Sequence, residues 1–227
     1  MGMDMNDVTI EQLRKEGVYD ESNAFKYYPY DESAPMSIGH IACSWGQREI
    51  YKTIVGKEFK KALVFEDDLT VNPYALEHIP DMLAHIPPDA DLIYWGYEMN
   101  VKPRWYSFAE RWYAHLMLTL LKLKGKRGFF LHTFPVTTHQ NINKIYCRPY
   151  NKYFMVAGAH YCTHAFSIND KCAGILRDIQ TPVCLPADLL LNMAIMHGHI
   201  KAYIATPMLF IQDKHNEKSK LPNYIVQ

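Results

Sequence analysis

The 227-residue sequence lacks an excess of charge: Lys and Arg together number 24, as do Asp and Glu. Without a broad basic field there is no electrostatic footprint for nucleic acid, and small molecules or glycans are the expected partners. The chain also lacks paired cysteine motifs. Its five cysteines, Cys43, Cys147, Cys162, Cys172 and Cys184, form no C-x-x-C and are odd in number, which argues against a zinc ribbon or a full disulfide framework. Free thiols in a reducing compartment follow. The opening MGMDMNDVTIEQ has no basic stretch leading into an apolar one and does not read as a signal peptide. No apolar run reaches the roughly 20 residues that span a bilayer, and the end NYIVQ carries no retention or lipidation signal. A cytoplasmic location is the resulting expectation. Internal repeats and low-complexity tracts are absent as well.

What is present is an ordinary globular composition, 48% apolar and 21% charged, on a length suited to one large α/β domain or one domain with an insertion. A short helix is predicted over TIEQLRKEG, capped by Thr9 and ended by Gly17. A second runs from Cys43 to Val55 with Trp45, Ile50 and Ile54 on one face. Strand ALVF (62–65) follows, then Glu66, Asp67 and Asp68. Asn72 reads as a helix N-cap with Pro73 at the first helical position, and Pro80 must kink or split that helix. Strand DLIYWG (91–96) comes next. The alternation predicts an α/β fold with parallel pairing of the two strands.

Residues 105–127 hold a strong apolar helix with aromatics at one end and a basic cluster at the other. Burial in the domain or under a dimer contact is the expected use of such a pattern, and a place in a membrane interface is the rarer one. From 155 onward the pattern is regular: strand VAGAHYCTHAFSI, helix NDKCAGILRDI capped by Asn169 or Asp170, helix CLPADLLLNMAIMHG between Pro186 and Gly198, and strand-like HIKAYIATPMLFIQ. The tail DKHNEKSKLPN reads as mobile, with Lys214 and Lys218 either solvated or meeting phosphates.

Ligands of α/β sheets bind beyond the carboxyl ends of strands, where Glu66, Asp67 and Asp68 fall. A cluster of oxygen ligands suits Mg²⁺ or Mn²⁺, which would also neutralise a diphosphate. The plain alternative is a solvated acidic turn, but Asn72 is the better cap and leaves the acids without a structural task. His160, Cys162 and His164 alternate as zinc ligands on a strand would, with core packing the simpler reading. His197 and His199 flank Gly198, where helix capping suffices as a role. Trp95 and Tyr97 either stack on a sugar or belong to the core.

KKALVFEDDL followed by DLIYWG resembles glycosyltransferase family 25, which includes bacterial lipooligosaccharide galactosyltransferases and eukaryotic collagen galactosyltransferases. YCTHAFSINDKCAGIL, LPADLLL and ATPMLFIQ resemble that family's later motifs in order, and Cys43 and Tyr51 fall at its upstream spacing. The resemblance implies a single GT-A-like, Rossmann-like domain over 1–227: a mostly parallel sheet flanked by helices, with a variable insertion at about 100–152. It implies metal-assisted, inverting transfer of galactose or glucose from a UDP-sugar to a glycan or glycosylated protein. Carried over, Glu66 and Asp68 hold Mn²⁺ or Mg²⁺ and the diphosphate, Asp67 orients them or touches the ribose, and Asp188 is the general base; Trp95 is the candidate for stacking on the donor sugar. For Asp188 a helix N-terminal charge is the competing role. Two departures stand out. The family's opening strand, I-N-L-x-R-x-x-x-R, has no counterpart, so that nucleotide-binding strand is absent or replaced. Gly46-Gln47 stands where Ser-His is expected. These departures keep a second reading open, a catalytically weak relative that binds a partner or dimerises.

Overall fold

Thr9 opens the first helix. Its side chain accepts a hydrogen bond from Gln12 N, and α1 (Ile10–Lys15) ends where Gly17 takes a left-handed conformation. A 3₁₀ turn (Glu21–Lys26) follows, then α2 (Ile38–Gly56), capped by Ser37. The computed structural model describes residues 8–26, 36–100, 106–125 and 137–212. The tail with Lys214 and Lys218 lies outside them. The buried stripe of α2 is Ile41, Ser44, Gln47, Arg48, Tyr51 and Ile54, whereas Ile50 is exposed. The expected face is therefore rotated, because two polar side chains, Gln47 and Arg48, go inward.

β1 (Lys61–Phe65) leads to the carboxylates and β2 (Leu69–Val71). Asn72 caps as expected, accepting from Tyr74 N, and Pro80 splits the segment into a 3₁₀ turn (Pro73–His78) and α3 (Ile79–Ala84). β3 (Leu92–Asn100) and α4 (Ser107–Leu123) follow. Next come β4 (Arg148–Pro149), β5 (Phe154–Val156) and β6 (His160–Asn169). Asn169, not Asp170, caps α5 (Asp170–Ile179) by accepting from Cys172 N. α6 (Ala187–His197) runs from Pro186 to a left-handed Gly198, and β7 (Ala202–Ala205) and β8 (Phe210–Gln212) close the described chain.

The α/β, GT-A-like expectation holds, but the sheet is not mostly parallel. Its order is β1-β6-β3-β7-β5-β4, and only β3 and β7 pair in parallel. β1 and β3 do run in the same direction, yet β6 lies between them, antiparallel to both. The direct pairing expected of ALVF and DLIYWG is thus replaced by an inserted strand from late in the chain. β2 and β8 make a separate antiparallel pair.

One sheet face packs against α2, α5 and α6 through Tyr51, Val64, Tyr94, Phe166, Leu176 and Leu190. The other meets α3 and its neighbouring turn through Met82, Ile93, Trp95 and Phe154. α4 docks through Ala114 and Leu118 onto Ile142, Tyr146 and Met196. The N-terminal unit packs Leu13 and Tyr19 on Ile41 and Val183, and none of its described residues pairs with β1. Among the described residues β1 is therefore an edge strand. Glu66 N and Lys60 O bond toward β6, so by the alternation of an antiparallel ladder the backbone groups of Lys61, Leu63 and Phe65 face the open edge.

Asp91, just before β3, is buried and accepts from Lys201 N (2.9 Å), Asn169 Nδ2 (3.2 Å) and Lys171 Nζ (3.2 Å). Burial pushes its carboxyl up, but the bonds from Lys201, Asn169 and Lys171 outweigh it and hold the group below the usual range. Asp91→Ala is expected to cost about 3 kcal/mol in urea unfolding, since Lys201 N and Asn169 lose their acceptor. A carboxylate with a depressed folded pKa stabilises above its unfolded value. The wild-type advantage over the variant should therefore be full at neutral pH and shrink as pH falls through the folded pKa.

Candidate active site at the end of β1

Glu66 directly follows β1 and adds one more bond beyond its ladder: its N–H donates to His164 O on β6 at 2.9 Å. The chain then turns into β2, so Asp67 and Asp68 leave the sheet at its carboxyl end. Asp68 Oδ2 accepts from Gln212 Nε2 at 2.7 Å. The β2–β8 register places Leu69 opposite Gln212 and so brings that amide to the carboxylate. Asp68 Oδ1 is buried and has no hydrogen-bond partner among the described residues. A buried carboxylate oxygen without a donor is costly unless a cation or proton meets it.

The Glu66 carboxyl is pushed up, by burial first and then by the charges of Asp68, Asp67 and Asp188. Asp188, distant in sequence, thus acts on the same corner. It lies in the first turn of α6, and its Oδ1 accepts from Leu189 N at 2.8 Å. The Cys43 thiol is also pushed up, by burial and then by Glu66 and Asp188. Four of the five expected site residues, Glu66, Asp67, Asp68 and Asp188, are therefore brought together electrostatically.

Trp95 is not with them. It is 5% exposed, on the face of β3 that packs against Phe154, with its ring edge-to-face at 5.8 Å. A ring enclosed this way presents no platform for a sugar, and the core alternative holds for it. His160 is likewise a core residue. It sits 4.0 Å from the Tyr94 ring, and burial lowers its pKa to about 4, partly offset by the bond to Gly158 O. It is neutral at pH 7. Among the described residues no group of three or more His, Cys, Asp or Glu side chains is placed to hold a metal ion, and this includes the His160, Cys162 and His164 set.

Glu66 and Asp68 consequently offer two carboxylates rather than a closed cage. Mg²⁺ commonly binds through one or two carboxylates plus waters and substrate phosphates, so the residues present fit such a cation, with the bare Asp68 oxygen as the feature that calls for one. Gln212 and Cys43 were the residues that sequence reasoning left without a role. Both were visible only as members of motifs, and the strand pairing and helix packing that deliver them are non-local.

The family model for glycosyltransferase family 25 (LPS biosynthesis protein) matches residues 8–191. The chain belongs to that family and is on that ground a glycosyltransferase. Among curated proteins none matches it. The matched range takes in Glu66, Asp67, Asp68 and Asp188, while Gln212 lies beyond it.

Because ionised Glu66 is disfavoured in the fold, Glu66→Gln should raise Tm at neutral pH in metal-free buffer. The sign follows from its raised folded pKa: the folded state binds the proton more tightly, so Glu66 weakens stability as pH rises past the unfolded value. The gain in the variant should vanish below about pH 4, where the carboxyl is protonated in both states. Thermal melts across this range check it.

Proposed function

We propose that the protein transfers a hexose, galactose or glucose, from a UDP-sugar to a hydroxyl of a glycan or glycosylated protein, with inversion at the anomeric carbon. The single observation that carries this reading is the buried Asp68 Oδ1, met by no hydrogen-bond donor among the described residues, in a chain of glycosyltransferase family 25. Transfer needs two chemically distinct carboxylate duties, and the corner and the α6 terminus offer one each.

Glu66 and Asp68 would hold Mn²⁺ or Mg²⁺, whose chemistry is to neutralise the diphosphate and stabilise it as a leaving group. Gln212 fixes the orientation of Asp68 by donating to one oxygen, so the other is aimed rather than free to rotate. Asp67 is exposed beside them and would meet the rest of the donor. Asp188 spends one oxygen on Leu189 N, and its second oxygen accepts nothing among the described residues. That oxygen takes the proton of the acceptor hydroxyl as the hydroxyl oxygen bonds to the anomeric carbon and the bond to the diphosphate breaks.

A second reading, a relative that binds a partner without turnover, draws on the outer edge of β1, which pairs with no strand among the described residues. Calorimetry with UDP and Mn²⁺ separates the two.

A UDP-release assay with Mn²⁺ on a panel of UDP-sugars is expected to give turnover with a UDP-hexose. Asp188→Asn should lower turnover by about a hundred- to ten-thousandfold while leaving UDP affinity intact. Asp68→Ala should abolish metal-dependent UDP binding. Silence of the folded protein with every donor, together with no UDP binding, would leave only the binding module.

A further inference from the structure

α4 turns its docked side inward with four contacts. Ala114 and Leu118 are buried, the Tyr146 hydroxyl donates to Glu110 Oε2 at 2.7 Å, and the Arg111 guanidinium lies 5.7 Å from the centre of the Tyr146 ring. Most of its apolar residues lie on the opposite side and are exposed in the single chain. Phe108 is 75% exposed, Trp112 65% and Leu123 81%, and Tyr113, Leu116 and Leu120 are exposed as well. At about 100° per residue these six side chains span a continuous arc of about 140°. The arc contains no acidic residue. Glu110, the one acid of the helix, is on the docked side, and Lys122 and Lys124 fall on opposite margins of the arc.

We infer that α4 is an in-plane membrane anchor that lays this arc into the headgroup boundary of a bilayer rich in anionic lipid. Aromatic and leucine side chains on one face, with lysines at its borders, are the chemistry of an interfacial helix. The arc is also broader than the narrow two-position seam that pairs helices in a coiled coil. Charge decides between the two partners. A second copy of α4 would bring the same lysines and no available acid to meet them, whereas anionic headgroups meet them with opposite charge. No described helix is long and apolar enough to cross a membrane, so the contact is peripheral. This inference does not depend on the carboxylate site.

The test is flotation of the full chain with vesicles of phosphatidylcholine alone or with phosphatidylglycerol. The protein should rise with the anionic vesicles, and less so at high salt. Trp112→Glu combined with Leu116→Glu should reduce the bound fraction by about tenfold or more, because two large side chains lose apolar burial and gain charge. Both sites are exposed, and an unchanged melting curve would confirm an intact fold. Lys122→Glu with Lys124→Glu should remove the preference for anionic lipid. Wild-type protein that stays at the bottom with both vesicle types overturns the inference. So does a chain that self-associates without lipid and becomes monomeric in the double-glutamate variant, which would make the arc a contact between copies. Flotation reads no turnover, so an inactive protein that floats would refute the transfer reading and leave the anchor standing.

Discussion

The carboxylate of Asp91 fixes where β3 sits, and the rest of the sheet is arranged around that strand. One side chain takes hydrogen bonds from the start of β7, through Lys201 N, and from the end of β6, through Asn169. Its backbone repeats the same links, with Asn169 N donating to Asp91 O and Asp91 N donating to Lys201 O. The parallel and the antiparallel neighbours of β3 are therefore registered from a single residue. A one-residue slip on either side would break this set and turn alternate side chains to the wrong face. Lys171 adds its charge from α5, coupling the covering helix to the same point. The aspartate that leads DLIYWG is thus a clamp at the end of the sheet opposite the carboxylate corner.

The other letters of that motif follow the same logic. Tyr94 is fully buried against Phe166 and His160. At Gly96 a Cβ would come within 2.7 Å of the His164 ring and of Phe210 O, so only glycine lets β6 and β8 close over β3. His164 is also the residue whose carbonyl receives Glu66 N. The small residue on β3 and the placement of the first site carboxylate are therefore linked through one side of β6. A motif read for chemistry turns out to act through packing, and the candidate site lies at the end of β1, with β6 between.

The sequence made the local devices legible because each is written in a few adjacent residues. Thr9, Asn72, Asn169 and Gly198 cap as their types demand, and Pro80 divides its helix where its ring excludes a helical hydrogen bond. Long-range pairing was not legible. Nothing in ALVF or DLIYWG announces that a strand from near residue 165 separates them, because pairing choice is settled by the helices that cover the sheet. Gln212 reaching Asp68 is hidden for the same reason. The face of α2 was misplaced because hydrophobic periodicity has no way to value Gln47, a polar side chain that earns its interior place through two hydrogen bonds. In α4 the amphipathic pattern is legible, but it fixes which side differs and not which medium that side meets.

Gln47 also bears on the departure from the family pattern. Its Nε2 donates to Thr163 Oγ1 at 2.9 Å, and Tyr51 OH donates to its Oε1 at 2.8 Å. Amide and hydroxyls satisfy one another in the core between α2 and β6, next to the residue that anchors Glu66. A buried network that closes on itself gives rigidity without adding charge. Where the family pattern has Ser-His, Gln47 of this chain ties α2 to β6. Through Thr163 the tie sits one residue from His164, whose carbonyl receives Glu66 N.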